Sequence, residues 1–133
     1  MKLTAKSEYA LLALIYLARH KDKANITSRE IAEQQEIPQK FLQQIFFVLK
    51  GSGFVKTTKG QTGGYRLAKS AKDISIAEIV RLFDGALAPT DSVSYYFYES
   101  TPIEHEIKLI KVFKNIRDYV AKKLEHATIA DVT

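Results

Sequence analysis

Pro38 stands between two helical patterns that lie only a few residues apart, so the chain must turn tightly there. Upstream, Thr27 followed three residues later by Glu30 is a capping-box signature. It opens a short helix through Ile31, Ala32 and about Gln35. Downstream, Phe41, Leu42, Ile45, Phe46 and Leu49 recur at helical spacing. Proline suits the first turn of that helix, because its missing N–H would be unpaired there anyway. Gly51 or Gly53 ends the pattern. Two short alternating runs follow, Phe54 to Thr58 and Tyr65 to Ala68, joined by Lys59-Gly60-Gln61-Thr62-Gly63-Gly64. The alternation and the three glycines predict a β-hairpin with a flexible tip.

The rest of the chain frames this unit. Tyr9, Leu12, Ile15 and Tyr16, backed by Leu11, Leu14, Leu17 and Ala18, predict a helix from about Ser7 to His20 that is apolar nearly all round. Its apolar centre is too short to span a bilayer and no small-residue cleavage signal follows, so it is expected in the core. The protein is accordingly expected to be soluble and cytoplasmic, with no membrane partner. Ser75 and Glu78 form a second capping box, opening a helix through Ile79, Val80, Leu82 and Phe83 that stops at Gly85. From Pro102 a long helix is expected to run to about His126, with Ile103, Ile107, Ile110, Phe113, Val120 and Leu124 on one stripe. Leu109, Val112, Ile116 and Tyr119 form a second stripe. A single helix cannot bury both against so small a body, so one is expected to face a second copy of the chain.

The fold class expected is mainly α with a small β-hairpin wing. Residues 1–85 would form a winged helix–turn–helix DNA-binding domain, 86–101 a linker or sensor loop, and 102–133 a dimerisation helix with a C-terminal tail. At 133 residues, with 46% hydrophobic and 26% charged side chains, the composition is that of an ordinary globular domain. There is no cysteine. Disulfides, thiolate-held metal centres and cysteine nucleophiles are thereby excluded.

Charge is unevenly placed. The net charge is +5, but residues 1–70 carry 12 Lys/Arg against 5 Asp/Glu, whereas residues 71–133 carry 8 against 10. Between Glu36 and Asp73 no acidic residue occurs, while Lys40, Lys50, Lys56, Lys59, Arg66, Lys69 and Lys72 all fall there. Such a stretch suits a phosphate-facing surface, or else a solvated lysine face with no partner.

A helix beginning near Pro38 can place its first turns in the major groove, where Gln39, Lys40, Gln43 and Gln44 would reach base edges. Glutamine pairs bidentately with adenine, and lysine donates to guanine or to phosphate. The glycine-rich hairpin tip, Lys59 to Gly64, can approach a backbone or narrow groove closely because Gly60, Gly63 and Gly64 lack side-chain bulk, with Lys59 beside them as a cation. Thr27 and Ser28, with Phe41, Lys50, Lys56 and Tyr65, complete the candidate DNA-binding set. In the linker, Ser92, Tyr95, Tyr96 and Tyr98 are a candidate effector pocket for a small molecule or protein, or else, with Phe97, a hydrophobic plug. Glu104, His105 and Glu106 are sequence neighbours on different helix faces, which argues against shared metal ligation. No cofactor is expected. Nor does the chain show a nucleophile–base pair, a phosphate loop or a dinucleotide fingerprint, so no enzymatic role is expected.

The stretches KLTAKSEYALLALIYLA, REIAEQQEIPQKFLQQIFFVLKGSGFVKTTKGQTGGYRLAK and ISIAEIV, with the tail TIADV, resemble the winged-helix bacterial repressors typified by IscR and CymR. The resemblance covers nearly the whole chain. It implies a homodimer braced by the long helix on a partly palindromic operator, with the Pro38 helix in the major groove and the Gly60–Gly64 wing in the minor groove. Iron–sulfur members of that family carry three cysteines in the linker; Ser92 aligns with the first, and the cluster is excluded here. Gln43 stands where such members often have glutamate, and Lys59 where the wing often has arginine, a planar fork that lysine lacks. Phe47 and Val48 occupy positions that are usually polar, and would either pack on the long helix or touch thymine methyls. Some relatives are regulated through a bound enzyme, so a protein-interaction module that keeps the fold is the alternative reading.

Overall fold

A computed structural model describes residues 1–58 and 63–133. Lys59 and Gly60, both expected at the DNA interface, therefore lie outside the described residues. The elements are α1 (Ala5–Arg19), α2 (Ser28–Gln34), α3 (Gln39–Gly51), β1 (Val55–Thr58), β2 (Gly64–Leu67), α4 (Ile76–Asp84) and α5 (Ile107–His126), with short 3-10 turns after β2, between α4 and α5, and after α5. This is the mainly helical architecture with a two-stranded wing that the sequence predicts.

The central helix is α1, which buries Ala10, Ala13, Leu14, Tyr16, Leu17 and Ala18. Small alanines on that face let α3, α4 and β2 approach closely. It begins two residues earlier than expected, because Thr4 caps it and Asp84 supports the cap. The Asp84 carboxylate accepts from the Thr4 hydroxyl, the Thr4 backbone N–H (3.2 Å) and the Ser7 hydroxyl (2.6 Å). A carboxylate at a helix N-terminus also meets the positive end of the helix dipole.

Thr27 caps α2, accepting from the Glu30 N–H at 3.1 Å. The reciprocal half of the expected box is absent, since the Glu30 carboxylate instead accepts from the Tyr16 hydroxyl and the Lys23 ammonium, each at 2.5 Å. The turn into α3 closes through Ile37 N–H donating to the Ala32 carbonyl, with Glu36 left-handed at φ 54°. Pro38 sits at the cap of α3 rather than inside its first turn. Beyond α3, Gly53 takes φ 81° and Phe54 N–H returns to the Leu49 carbonyl, ending the helix as glycine ends do.

The strands pair antiparallel, Val55 with Leu67, Lys56 with Arg66, Thr57 with Tyr65 and Thr58 with Gly64. Ile26 adds a bridge to Tyr65 along the outer edge. The Ser75–Glu78 capping box is complete, and α4 stops at Gly85 with φ 84°. The tail returns to the body: Ile129 is fully buried in the main core and its N–H donates to the Ile74 carbonyl.

The long helix departs from expectation at its start. Pro102–His105 is a 3-10 turn, Glu106 breaks the run, and α5 begins at Ile107. Ile107, at the first position of α5, is exposed, while Ile110 is buried. Among the described residues no helix is long and apolar enough to cross a membrane.

Candidate nucleic-acid interface

The orientation of α3 follows from its apolar stripe. Leu42, Ile45, Phe46 and Leu49 are buried, which forces the intervening positions outward. Gln39, Lys40, Phe41, Gln43, Gln44 and Lys50 are exposed, and Phe47 is 82% exposed. Phe47 therefore stays off the body and α5, whereas its neighbour Val48 is half-buried. Phe41 leans on Tyr9, with ring centroids 6.2 Å apart.

Thr27, Ser28 and Gln39 come together where α2 meets α3. The Gln39 amide donates to the Ser28 hydroxyl at 2.9 Å, which fixes the side chain and leaves its carbonyl oxygen and second N–H outward. Among the described residues, the ion pairs are Lys23–Glu30, Arg29–Glu33, Arg81–Glu125 and Arg117–Asp118. None of them engages Lys40, Lys50 or Lys56. These cations keep their charge available to an external anion.

The hairpin residues divide. Gly63 is exposed at the tip. Gly64 is buried, and a side chain there would meet the Asn25 side chain and come within 2.6 Å of the Ile26 carbonyl oxygen. Its lack of bulk thus serves strand packing. Tyr65 lies half-buried with its ring stacked on Phe46. Lys56 and its partner Arg66 project from the opposite hairpin face, since successive strand residues alternate sides. Arg66 was absent from the sequence-based candidate set; the strand register alone pairs it with Lys56.

In the linker, Ser92 is buried and its hydroxyl accepts from Thr101 at 2.9 Å. The rings neither seal a junction nor line an enclosed cavity within the chain: Tyr95 is 60%, Tyr96 72% and Tyr98 55% exposed. Expectation of a plug is corrected, because cations and carboxylates hold these rings at the surface. Arg117 lies 3.9 Å from the Tyr95 ring centroid and Arg81 5.0 Å from that of Tyr96. The Tyr95 hydroxyl donates to Asp118 at 2.6 Å, and that bond holds the Asp118 carboxyl below its ordinary range. The Tyr98 hydroxyl donates to Glu104.

A helix–turn–helix, a wing packed on its second helix and an outward face free of carboxylates together define a winged-helix regulator of transcription. The chain belongs to the Rrf2 family, described as iron-dependent transcriptional regulators, whose pattern matches residues 3–133. It is 36% identical over 120 residues to an rrf2-like HTH-type transcriptional regulator of Rhodobacter capsulatus, covering 86% of this chain and 80% of that protein. CymR, the global cysteine regulator of B. subtilis, superposes with a TM-score of 0.78 at 26% identity, over 99% of this chain and 95% of that one. T. potens IscR superposes with a TM-score of 0.71 at 28% identity, over 99% and 85%. The likeness to IscR and CymR read from the sequence is thus found, and the relatives are regulators, not enzymes.

Proposed function

We propose that the protein is a sequence-specific repressor that binds a partly palindromic operator as a homodimer. The observation that carries this reading is the outward face of α3, where Gln39, Lys40, Gln43 and Gln44 stand exposed with no carboxylate among them. Gln43 and Gln44 would read adenine edges, Lys40 guanine or phosphate, and Lys50 the backbone. Exposed Phe47 continues the same face and would meet thymine methyls. Thr27 and Ser28 would contact phosphate at the start of α2. Residues 1–85 would read DNA and 102–133 would dimerise. Leu109 (42% exposed), Val112 (52%), Ile116 (44%) and Tyr119 (74%) leave one face of α5 apolar and uncovered, as a second copy would require.

The residues present do not fit an iron–sulfur centre. The sequence holds no cysteine, and among the described residues no group of three or more His, Asp or Glu is placed to hold a metal. Ser92, at the aligned ligand position, is instead hydrogen-bonded to Thr101. The repressor is proposed to act without a cluster.

Gel-shift binding at several salt concentrations tests this reading, with sites located first by genomic footprinting. One promoter should bind about a thousandfold or more tighter than random DNA, with affinity falling steeply as salt rises. Equal binding to every sequence overturns the reading and favours an interaction module on the same fold.

A further inference from the structure

A second charged region lies behind the wing. A cleft of about 710 Å³ opens between the end of α1, the loop leading to Ile26, the hairpin and the segment after β2. Leu17, Ala18, Ile26, Leu67 and Ala71 contribute an apolar floor. Lys21, Lys23, Lys56, Arg66, Lys69 and Lys72 stand around it, and no carboxylate side chain lines it. Lys23 is paired with Glu30, and Lys69 lies 4.8 Å from the Phe54 ring centroid. Lys21, Lys56, Arg66 and Lys72 have no ion-pair partner among the described residues.

The strand register makes this arrangement costly. Lys56 and Arg66 are directly opposed across the hairpin, and like charges so placed destabilise a sheet. Among the described residues no ion pair offsets their repulsion, whereas a bound anion would. No residue of α3 lines the cleft, which therefore lies apart from the face that carries Gln43 and Gln44. Its size suits a small ligand, whereas a duplex spreads its contacts over about 600 Å² or more.

We propose that this cleft binds a nucleotide-sized organic phosphate. Arg66 offers a planar fork for bidentate phosphate binding, and the lysines act as point charges around it. Four unpaired cations match the charge of a di- or triphosphate. The apolar floor takes the organic part, which inorganic phosphate lacks.

Calorimetric titration of the full chain with ATP as probe, at about 0.1 M salt, tests the site. Saturable binding of one ATP per chain is expected. Lys21→Gln combined with Lys72→Gln, on exposed walls of the cleft, should weaken it about tenfold or more. Arg66→Gln should do the same, and Lys40→Gln on α3 should leave ATP binding unaltered. The proposal is overturned if ATP shows no saturation, or if tripolyphosphate binds as tightly as ATP. It is equally overturned if Lys40→Gln weakens ATP binding as much as the cleft variants do. Should the cleft variants instead lower duplex affinity as strongly as Lys40→Gln, the cleft is a DNA-contacting face and not a ligand site.

Discussion

The ring of Phe46 lies flat on the ring of Tyr65, with centroids 4.0 Å apart and planes 6° from parallel. Phe46 belongs to the buried stripe of α3 and Tyr65 to the second wing strand, so one stack ties the helix to the wing. Offset aromatic contact adds about 0.5–1.5 kcal/mol to the apolar burial of such a pair. Phe46→Ala is expected to cost about 3–5 kcal/mol, read as a fall in the thermal midpoint. Tyr65→Phe keeps the ring and should fall within about 1 kcal/mol of the parent. A Tyr65→Phe loss as large as that of Phe46→Ala would show that the ring contact is not what matters.

Asp84 links the end of α4 to the start of α1 through Thr4 and Ser7. Replacing it by Asn keeps the shape but removes the charge facing the α1 N-terminus. Asp84→Asn should destabilise by about 1–2 kcal/mol in urea unfolding, with an unchanged denaturant slope.

Glu30 gives a pH signature. The Lys23 ammonium first, and then the Tyr16 hydroxyl, hold its carboxyl below the ordinary 4.5. A carboxyl depressed in the folded state stabilises above its unfolded value and loses that contribution as pH falls through its folded one. Glu30→Gln should therefore be less stable than the parent at neutral pH, with the gap closing on acidification below about 4.5. Tyr16 runs the opposite way. Burial first, aided by Glu30, pushes its hydroxyl from 10.0 up to about 12. Its contribution is full below 10 and is lost as pH rises towards 12, so Tyr16→Phe should flatten the alkaline limb of the stability profile.

The uncovered face of α5 predicts an oligomeric state. Light scattering at micromolar concentration should give a dimer for the parent chain. Val112→Glu with Ile116→Glu, both on exposed positions, should give a folded monomer with an unchanged circular dichroism spectrum. A monomeric parent would contradict the dimer.

On α3, Gln44→Ala should alter base preference at one position of each half-site, whereas Lys50→Ala should weaken all sequences alike and reduce the salt dependence. Phe47→Ala should cost discrimination at a thymine; an unaltered preference profile would exclude that contact.

Most of the fold was legible because its signals are local. Thr27, Ser75, Gly53 and Gly85 mark helix ends through bonds that span a few residues, and the stripe of α3 is written at helical spacing. That stripe also made the exposed face of Gln39, Lys40, Gln43 and Gln44 readable, since burying one side of a helix exposes the other. What failed were features set by competing side chains outside the local cap and stripe spacings. Glu30 leaves its expected cap because Tyr16 and Lys23 compete for it. Glu104 is bound by Tyr98 and Ser100, alongside the 3-10 turn that delays α5.

By itself the sequence determined the order of elements, the acid-free basic stretch from residue 37 to 72 and the absence of cysteine ligands. Those are properties of composition and short-range spacing, which need no partner. Only the tertiary structure decided that Asp84 braces the Thr4 cap of a helix 80 residues away, that Gly64 is demanded by Ile26, and that Lys56 and Arg66 face a cleft apart from α3. Such relationships arise when separate elements pack, and spacing along the chain carries no record of which distant side chains will meet.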